Sequence, residues 1–244
     1  MEPTPGESDR PTPPVAALLL AAGGGRRLGG RPKALLPYRG RPLVEHALRV
    51  LREGGCGPVH VVLGAAADEV RERADLSGCV PVVNPRWAEG MGSSLRAGLD
   101  ALTGPAGLGH ARTGEPPGAP ALPARPDPRR ARSPCGAHAP AGAVLVLLVD
   151  QPGIGARAVA RVLAAYGGSP GVLAAATYGG RRGHPVLIGA EHWVPVAAAA
   201  VGDRGARGYL REHEAEITRV ECGDVAEAYD IDMPEDLRRL TQDT

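Results

Sequence analysis

The segment from Leu20 to Lys33 is the part of the chain whose residue types most clearly suggest chemistry. It reads Leu-Ala-Ala-Gly-Gly-Gly-Arg-Arg-Leu-Gly-Gly-Arg-Pro-Lys and follows a short apolar run. Glycines let a backbone approach a ligand closely, while arginine and lysine supply charged donors for phosphate oxygens. A Walker loop is excluded because no Gly-Lys-Ser/Thr follows. The dinucleotide-binding pattern G-x-G-x-x-G is matched only if one extra residue is allowed, and such a glycine pattern alone is weak evidence. The segment therefore predicts a phosphate-binding loop.

Asp150 is the second candidate, because it directly follows the most hydrophobic predicted strand, Ala143–Val149. Ligands of open α/β sheets collect at the carboxyl ends of strands. Magnesium prefers hard oxygen ligands beside phosphates. The position predicts a metal ligand, and the alternative is an aspartate that only caps a helix or shapes a turn.

Ser93 and Ser94 lie at the start of a predicted helix over Gly92–Leu102. The N-terminus of a helix favours anions, so these hydroxyls are predicted to contact a nucleotide. The alternatives are contact with the second substrate or capping of the helix alone. The two tryptophans, Trp87 and Trp193, are interpreted as packing residues.

The elements that must position these residues alternate between strands and helices. Short apolar runs predict strands at Val15–Ala22, Val59–Gly64, Val80–Val83, Ala143–Val149, Gly171–Thr177 and Glu216–Cys222, and a hairpin at Gly179–Ile188 with Arg181, Arg182 and Gly183 near its turn. Helical spacing predicts helices at Pro42–Arg52, Asp68–Ala74, Gly92–Leu102, Ala156–Tyr166, Gly205–His213 and Pro234–Leu240. Continuous apolar strands are typical of a parallel sheet that is buried on both faces. We therefore predict a three-layer α/β/α Rossmann-like fold with a mostly parallel sheet.

Composition limits the partners and the domain organisation. The chain has 244 residues and a formal net charge of +1, which fits one large domain and gives no reason to expect nucleic acid or an anionic membrane. Residues 1–14 are acidic and proline-rich and lack the features of a secretory signal, so we expect a disordered tail and a cytoplasmic protein.

The domain over residues 15–244 is interrupted by Thr103–Gly142, which is rich in Pro, Gly, Ala and Arg and has no apolar periodicity. Such a segment buries too little surface to offset its chain entropy, so we predict a disordered insertion. The four cysteines are scattered without a C-x-x-C pair, which argues against a zinc site or a disulfide framework.

Six motifs, in order, give the sequence a family resemblance. The first, L-A-A-G-x-x-x-R-L-G-x-x-K-x-L-L, resembles the signature loop of the MobA-like NTP transferases, and specifically of their molybdenum cofactor cytidylyltransferase branch. The other segments similar to this branch are Asn84–Leu95, Asp150–Pro152, Arg182–Val186, Gly202–Arg207 and Asp230–Leu237. Together they cover nearly the whole chain except the tail and the insertion. The insertion departs from the family pattern, and so does Met233, where the family usually has threonine.

The resemblance implies transfer of CMP from CTP to the phosphate of molybdopterin, with release of pyrophosphate and with Mg²⁺ or Mn²⁺ as cofactor. CTP is favoured over GTP because Leu-Ala-Ala-Gly resembles the cytidylyl branch. Molybdoenzymes that receive the cofactor are implied as partners. The implied catalytic residues are Arg27, Lys33 and Asp150. The implied nucleotide-binding residues are Leu20, Ala21, Ala22, Gly23, Gly24, Gly25, Arg27, Lys33, Gly64, Ser93 and Ser94. Substrate contacts are implied for His184, Asp203 and Arg207, and metal ligation for Asp150 and Asp232.

Three other functions stay open. A nucleotidyltransferase of this family can act on another phosphorylated metabolite. Some members of the branch carry the name nicotine blue oxidoreductase, which implies a nicotinamide cofactor. Against this, no acidic residue lies about 20 positions beyond the glycines on a second strand. A protein that delivers the molybdenum cofactor without catalysis is the third reading.

Overall fold

A computed structural model describes residues 13–104 and 141–242, and its centre is a seven-stranded sheet. The strands are β1 (Val15–Ala21), β2 (Pro37–Tyr38), β3 (Arg41–Pro42), β4 (Val59–Leu63), β5 (Val80–Val83), β6 (Ala143–Leu148), β7 (Leu173–Tyr178), β8 (Arg181–Gly189) and β9 (Thr218–Glu221). The helices are α1 (Leu43–Glu53), α2 (Ala67–Arg73), α3 (Met91–Thr103), α4 (Ala156–Leu163), α5 (Trp193–Ala199), α6 (Arg207–Glu212) and α7 (Arg239–Gln242). The predicted tail and most of the predicted insertion lie outside the described residues.

The strand order in the sheet is β5-β4-β1-β6-β8-β7-β9, and β2 pairs only with β3. Strands β5, β4, β1 and β6 are parallel to one another. Strand β8 runs antiparallel to both of its neighbours, and β9 is parallel to β7. The mostly parallel α/β sheet is confirmed. Because β1, β4 and β6 are parallel neighbours, the loops that follow them meet at one edge of the sheet.

Strand β1 shows why the fold has three layers. Its side chains alternate between two separate apolar clusters, with Ala17 and Leu19 on one face and Leu18 and Leu20 on the other. Helices α1 and α4 cover the first face, and α3, α5 and α6 cover the second. A strand covered on both faces gains nothing from polar positions, which explains its continuous apolar run.

The turn between β7 and β8 and helix α5 differ from the sequence prediction. The predicted hairpin within Gly179–Ile188 is wrong, because the turn consists of Gly179 and Gly180 and joins β7 to β8. Both glycines have positive φ, 58° and 78°, as a tight two-residue hairpin turn requires, so Arg181 already starts the returning strand. Helix α5 was missed because its sequence, Trp-Val-Pro-Val-Ala-Ala-Ala, contains an internal proline and no polar face.

The last predicted helix, Pro234–Leu240, is a 3₁₀ segment over Pro234–Arg238 followed by the short α7. Cys56, Cys79 and Cys222 are free thiols, as predicted, while Cys135 lies outside the described residues. Burial raises the pKa of the Cys56 thiol to about 12. Within the described part of the chain, every helix is too short or too polar to cross a bilayer.

Gly98 of α3 tests how closely this helix must pack on the sheet. A Cβ added there would lie 2.3 Å from Cδ1 of Leu18, which is fully buried and has no room to turn away. We expect Gly98→Ala to lower the free energy of unfolding by about 1–3 kcal/mol, measured by urea denaturation. Gly208→Ala in α6 is the control, since no atom lies within 4 Å of its added Cβ. Equal stability of the two variants would contradict this packing.

Candidate active site

The glycine-rich loop leaves the carboxyl end of β1 and folds tightly on itself. The amides of Leu28 and Gly30 both donate to the carbonyl of Gly25, at 2.8 and 3.0 Å. Gly25 has a φ of 59°, and a Cβ at this position would lie 1.9 Å from the carbonyl oxygen of Arg31. Only glycine fits this closure, so the loop shape depends on its sequence directly.

Lys33 joins the loop to the two predicted metal ligands. Its ammonium donates to Asp150 Oδ2 at 2.6 Å and also to Asp232 Oδ1. The Lys33 and Asp150 side chains are 14% and 18% exposed, whereas Asp232 is 44% exposed. Two carboxylates from distant parts of the sequence therefore converge on one cation.

Backbone hydrogen bonds hold the two carboxylates in place. The amide of Ile231 donates to the carbonyl of Asp150 at 2.9 Å, and Ile231 itself is fully buried. The Asp236 carboxylate accepts from the amides of Asp232 and Met233 at 3.0 and 2.8 Å. Asp236 thus fixes the turn after Asp232.

The charges of this cluster stabilise one another against burial. Burial alone would lower the pKa of Lys33, but the charges and hydrogen bonds of Asp150 and Asp232 raise it on balance. Burial raises the pKa of the Asp150 carboxyl, and the Lys33 ammonium opposes that rise. The Lys33 side chain is therefore a persistent cation at neutral pH.

A cavity of about 580 Å³, here called the loop cavity, opens in front of this cluster. The predicted site residues that line it are Leu20, Ala22, Gly23, Gly24, Gly25, Arg27, Lys33, Ser94, Asp150, Asp203, Arg207 and Asp232. Arg26 and Trp87 line it as well. Arg26 and Arg27 are exposed, and neither forms an ion pair with another described residue. These cations remain available to an anionic ligand.

Four predicted site residues do not line the loop cavity. Ala21 is buried in the core beneath it. Gly64 follows β4, and a Cβ at this position would lie 2.5 Å from Trp87 Cβ. The glycine therefore allows Trp87 to pack closely against the end of β4. Ser93 is buried and its hydroxyl lies 2.8 Å from the carbonyls of Arg86 and Gly90, which it ties to the start of α3.

Asn84 was missed by the sequence analysis as a positioning residue. Its Nδ2 donates to the hydroxyls of Ser93 and Ser94, at 2.9 and 3.1 Å, and its side chain is buried. The hydroxyl of Ser94 is thereby held beside the loop cavity, while Ser93 is engaged in structure. The available signal was an asparagine directly after the apolar strand β5. A polar side chain that becomes buried at such a position needs hydrogen-bond partners.

His184, the fourth residue outside the loop cavity, lines a second cavity of about 670 Å³, here called the arginine cavity. The two cavities adjoin, because Leu20, Met91, Arg207 and Asp230 line both. At the boundary, Gln151 Nε2 donates to Asp230 Oδ1 at 2.7 Å. The sequence analysis did not assign this pair.

The role of Lys33 in stability can be measured directly. Lys33→Met leaves two carboxylates facing each other, so we expect the free energy of unfolding in EDTA to fall on the order of 2 kcal/mol. Adding Asp150→Asn should restore part of that loss, because it removes one repelling charge. Arg73→Met is the control: it removes an exposed ion pair with Glu69, and we expect a cost under about 1 kcal/mol. A Lys33→Met cost no larger than that of the control would rule the stabilising role out.

The His184 environment predicts a pH dependence of stability. Burial lowers the pKa of His184 to about 4, opposed by nearby Asp230 and aided by Arg207. An unfolded histidine titrates near about 6.5, so the unfolded state binds more protons between the two values, and stability falls as the pH falls through this window. We expect the urea midpoint to drop less between pH 7 and pH 5 in His184→Gln than in the unaltered chain. An equal drop would mean that His184 has the same pKa in the folded and the unfolded protein.

Two solved structures share the fold of this chain. A structure from Mycobacterium sp. strain JC1, the homologue of Mycobacterium tuberculosis Rv0371c, superposes with a TM-score of 0.68 at 27% identity, covering 94% of this chain and 98% of that one. The manganese complex of Rv0371c from M. tuberculosis matches at a TM-score of 0.66 and 23% identity, over 95% of this chain and all of the other, and shares the fold.

Two sequence comparisons cover most of the chain. The relative named nicotine blue oxidoreductase, from Paenarthrobacter nicotinovorans, is 38% identical over 242 residues, which span 96% of this chain and 99% of that protein. The family model described as the MobA-like NTP transferase domain matches residues 17–217, from β1 to just before β9. The matched residues include the glycine-rich loop, Lys33 and Asp150. They also include every described residue that lines the two cavities except Ala228, Asp230 and Asp232. The chain belongs to the MobA-like NTP transferase domain family.

Proposed function

We propose that the protein transfers a nucleoside monophosphate, CMP from CTP, to the phosphate of a molybdopterin-type acceptor and releases pyrophosphate. The observation that carries this proposal is the position of Lys33, held by Asp150 and Asp232 where the glycine-rich loop opens into the loop cavity. The glycine-rich backbone and the exposed Arg26 and Arg27 suit phosphate oxygens, and the two carboxylates suit a divalent cation that those oxygens share.

The reaction requires little covalent chemistry from the protein itself. An acceptor phosphate oxygen attacks the α-phosphorus, a new P–O bond forms, and the bond to the oxygen that bridges to the β-phosphorus breaks, so pyrophosphate leaves with that electron pair. Catalysis then consists of alignment and of stabilising the developing negative charge. Arg27 and Lys33 supply the charge, and the glycine-rich loop supplies close backbone contact.

No general base is needed, because a phosphate monoester is largely ionised at neutral pH. This agrees with the environment of His184, whose lowered pKa keeps the imidazole neutral under those conditions. We assign His184, Asp203 and Arg207 to the binding of the acceptor. Asp203 lies near the start of α3, since its Oδ1 would be 2.5 Å from a Cβ placed on Gly90.

The donor set fits a divalent cation that is shared with substrate phosphates. Asp150 and Asp232 already converge on one positive charge, and magnesium commonly binds through one or two carboxylates plus phosphate oxygens. Within residues 13–104 and 141–242, no three acidic, histidine or cysteine side chains are grouped to hold a metal by themselves. When bound, such a cation would neutralise phosphate charge beside these two carboxylates.

The 38% identical relative is named nicotine blue oxidoreductase, which favours a second candidate, an oxidoreductase. For this candidate we propose the nicotinamide cofactor that the sequence resemblance implies, with NAD(P)H as electron donor and a small aromatic acceptor. The end of β4 does not support this. A dinucleotide-binding fold places an acidic residue there for the ribose, whereas here β4 ends at Leu63 and is followed by Gly64 and Ala65. The nearest acid, Asp68, is exposed at the start of α2 and faces Arg71.

One assay separates the two candidates. The purified protein, with Mg²⁺ or Mn²⁺, is incubated with each NTP, with and without molybdopterin, and pyrophosphate is measured. We expect release with CTP and molybdopterin together, and a loss of about a hundredfold or more in Asp150→Asn and in Lys33→Met. Arg157→Gln, an exposed change outside both cavities, should retain full activity.

Two results of this assay would contradict these expectations. Absence of pyrophosphate release with every NTP would overturn the proposal. Consumption of NAD(P)H, followed by its absorbance with an aromatic acceptor, would establish the second candidate instead.

A further inference from the structure

Four arginines at the mouth of the arginine cavity have no partner of opposite charge within the described chain. We call Arg181, Arg204, Arg207 and Arg211 the arginine rim. All four are exposed, and none forms an ion pair or side-chain hydrogen bond with another described residue. Arg182 is different, because it pairs with Glu214 and donates to the Leu210 carbonyl at 3.2 Å.

The rim concentrates positive charge in a chain whose net charge is only +1. Among the described residues, Asp230 is the one acidic residue that lines the arginine cavity, and its Oδ1 accepts from Gln151. Arg207 and Arg211 are four residues apart on α6, and Arg204 ends the 3₁₀ turn before it. Like charges at this helical spacing repel, so the arrangement costs stability until an anion binds.

The floor of the arginine cavity is apolar, in contrast to its rim. Leu20, Leu95, Val146, Val186 and Ile188 line it. A volume of about 670 Å³ is that of a pocket for a small organic molecule, whereas a protein partner would require a wider surface. The cavity therefore suits a compact molecule with an apolar or aromatic body and negative charge at its edge.

We infer that the acceptor carries a second anionic group, separate from its reacting phosphate, and that Arg181, Arg204 and Arg211 bind it. This inference rests on the proposed function, because it takes the arginine cavity as the acceptor site. Arg207 lines both cavities, so it is assigned to the reacting phosphate and not to the second group. The reacting phosphate and the second anion would then bind to neighbouring arginines at the mouth of the same cavity.

The test uses a matched pair of aromatic probes, phenyl phosphate and benzene-1,4-diyl bisphosphate. Binding is measured by titration calorimetry on the full chain, with Mg²⁺ and a non-hydrolysable CTP analogue saturating the loop cavity. We expect the bisphosphate to bind at least about tenfold more tightly, because each arginine contact is a charge-assisted hydrogen bond. Arg204→Gln/Arg211→Gln should abolish that preference, and so should raised salt, since the arginines are exposed.

The control is Arg157→Gln/Arg238→Gln, which removes two exposed arginines that line neither cavity. It should keep the preference for the bisphosphate. Arg181→Gln, on β8, provides a second variant, so that a folding defect in α6 does not decide the result; we expect it to weaken the preference.

Several outcomes would overturn the inference. Equal binding of the two probes by the unaltered chain would do so, as would a preference that survives in both rim variants. Binding of an acidic peptide but of neither probe would make the rim a protein-docking surface instead. An Arg-dependent preference without any NTP-dependent pyrophosphate release would leave the anion site intact and refute only the proposed function.

Discussion

The contact of one ammonium group with two carboxylates organises the candidate active site of this protein. Lys33 comes from the loop after β1, Asp150 from the end of β6, and Asp232 from the segment before the C-terminal helix. Lys33 and Asp150, which are mostly buried, would each be costly there alone, because an unpaired buried charge is unfavourable. Together the three residues hold the loop against the sheet and leave a preformed cluster with a net charge of −1, which a bound cation would offset.

The sheet makes that contact possible. Strands β1 and β6 are parallel neighbours, so their carboxyl ends meet, and the residues after them enter the same space. Leu18 and Leu147 of these strands are fully or almost fully buried, so the strands have little freedom to shift relative to each other. A site built on such strands holds its charges in place before any ligand arrives, which is the condition for effective electrostatic catalysis.

The two adjoining cavities differ in the residues that line them. The loop cavity is lined by polar backbone, four aspartates and several cations, and the arginine cavity has an apolar floor beneath a cationic rim. Asp230 and Arg207 lie at their boundary, where groups bound in the two cavities would meet. Such a division suits a reaction between two bound molecules, because each one is oriented by different forces.

The sequence alone determined the sheet, the loop and the carboxylate after β6, because continuous apolar runs, consecutive glycines and an aspartate at a strand end are local signals. Local patterns also predicted most helices, although α5 escaped because its proline and apolar face resemble no amphipathic helix. Only the tertiary structure decided that Lys33 contacts both Asp150 and Asp232, which are 117 and 199 residues away. It alone grouped the unpaired arginines around one cavity and showed that Ser93 is engaged by Asn84. These are long-range contacts, and no spacing along a chain specifies which distant side chains will meet.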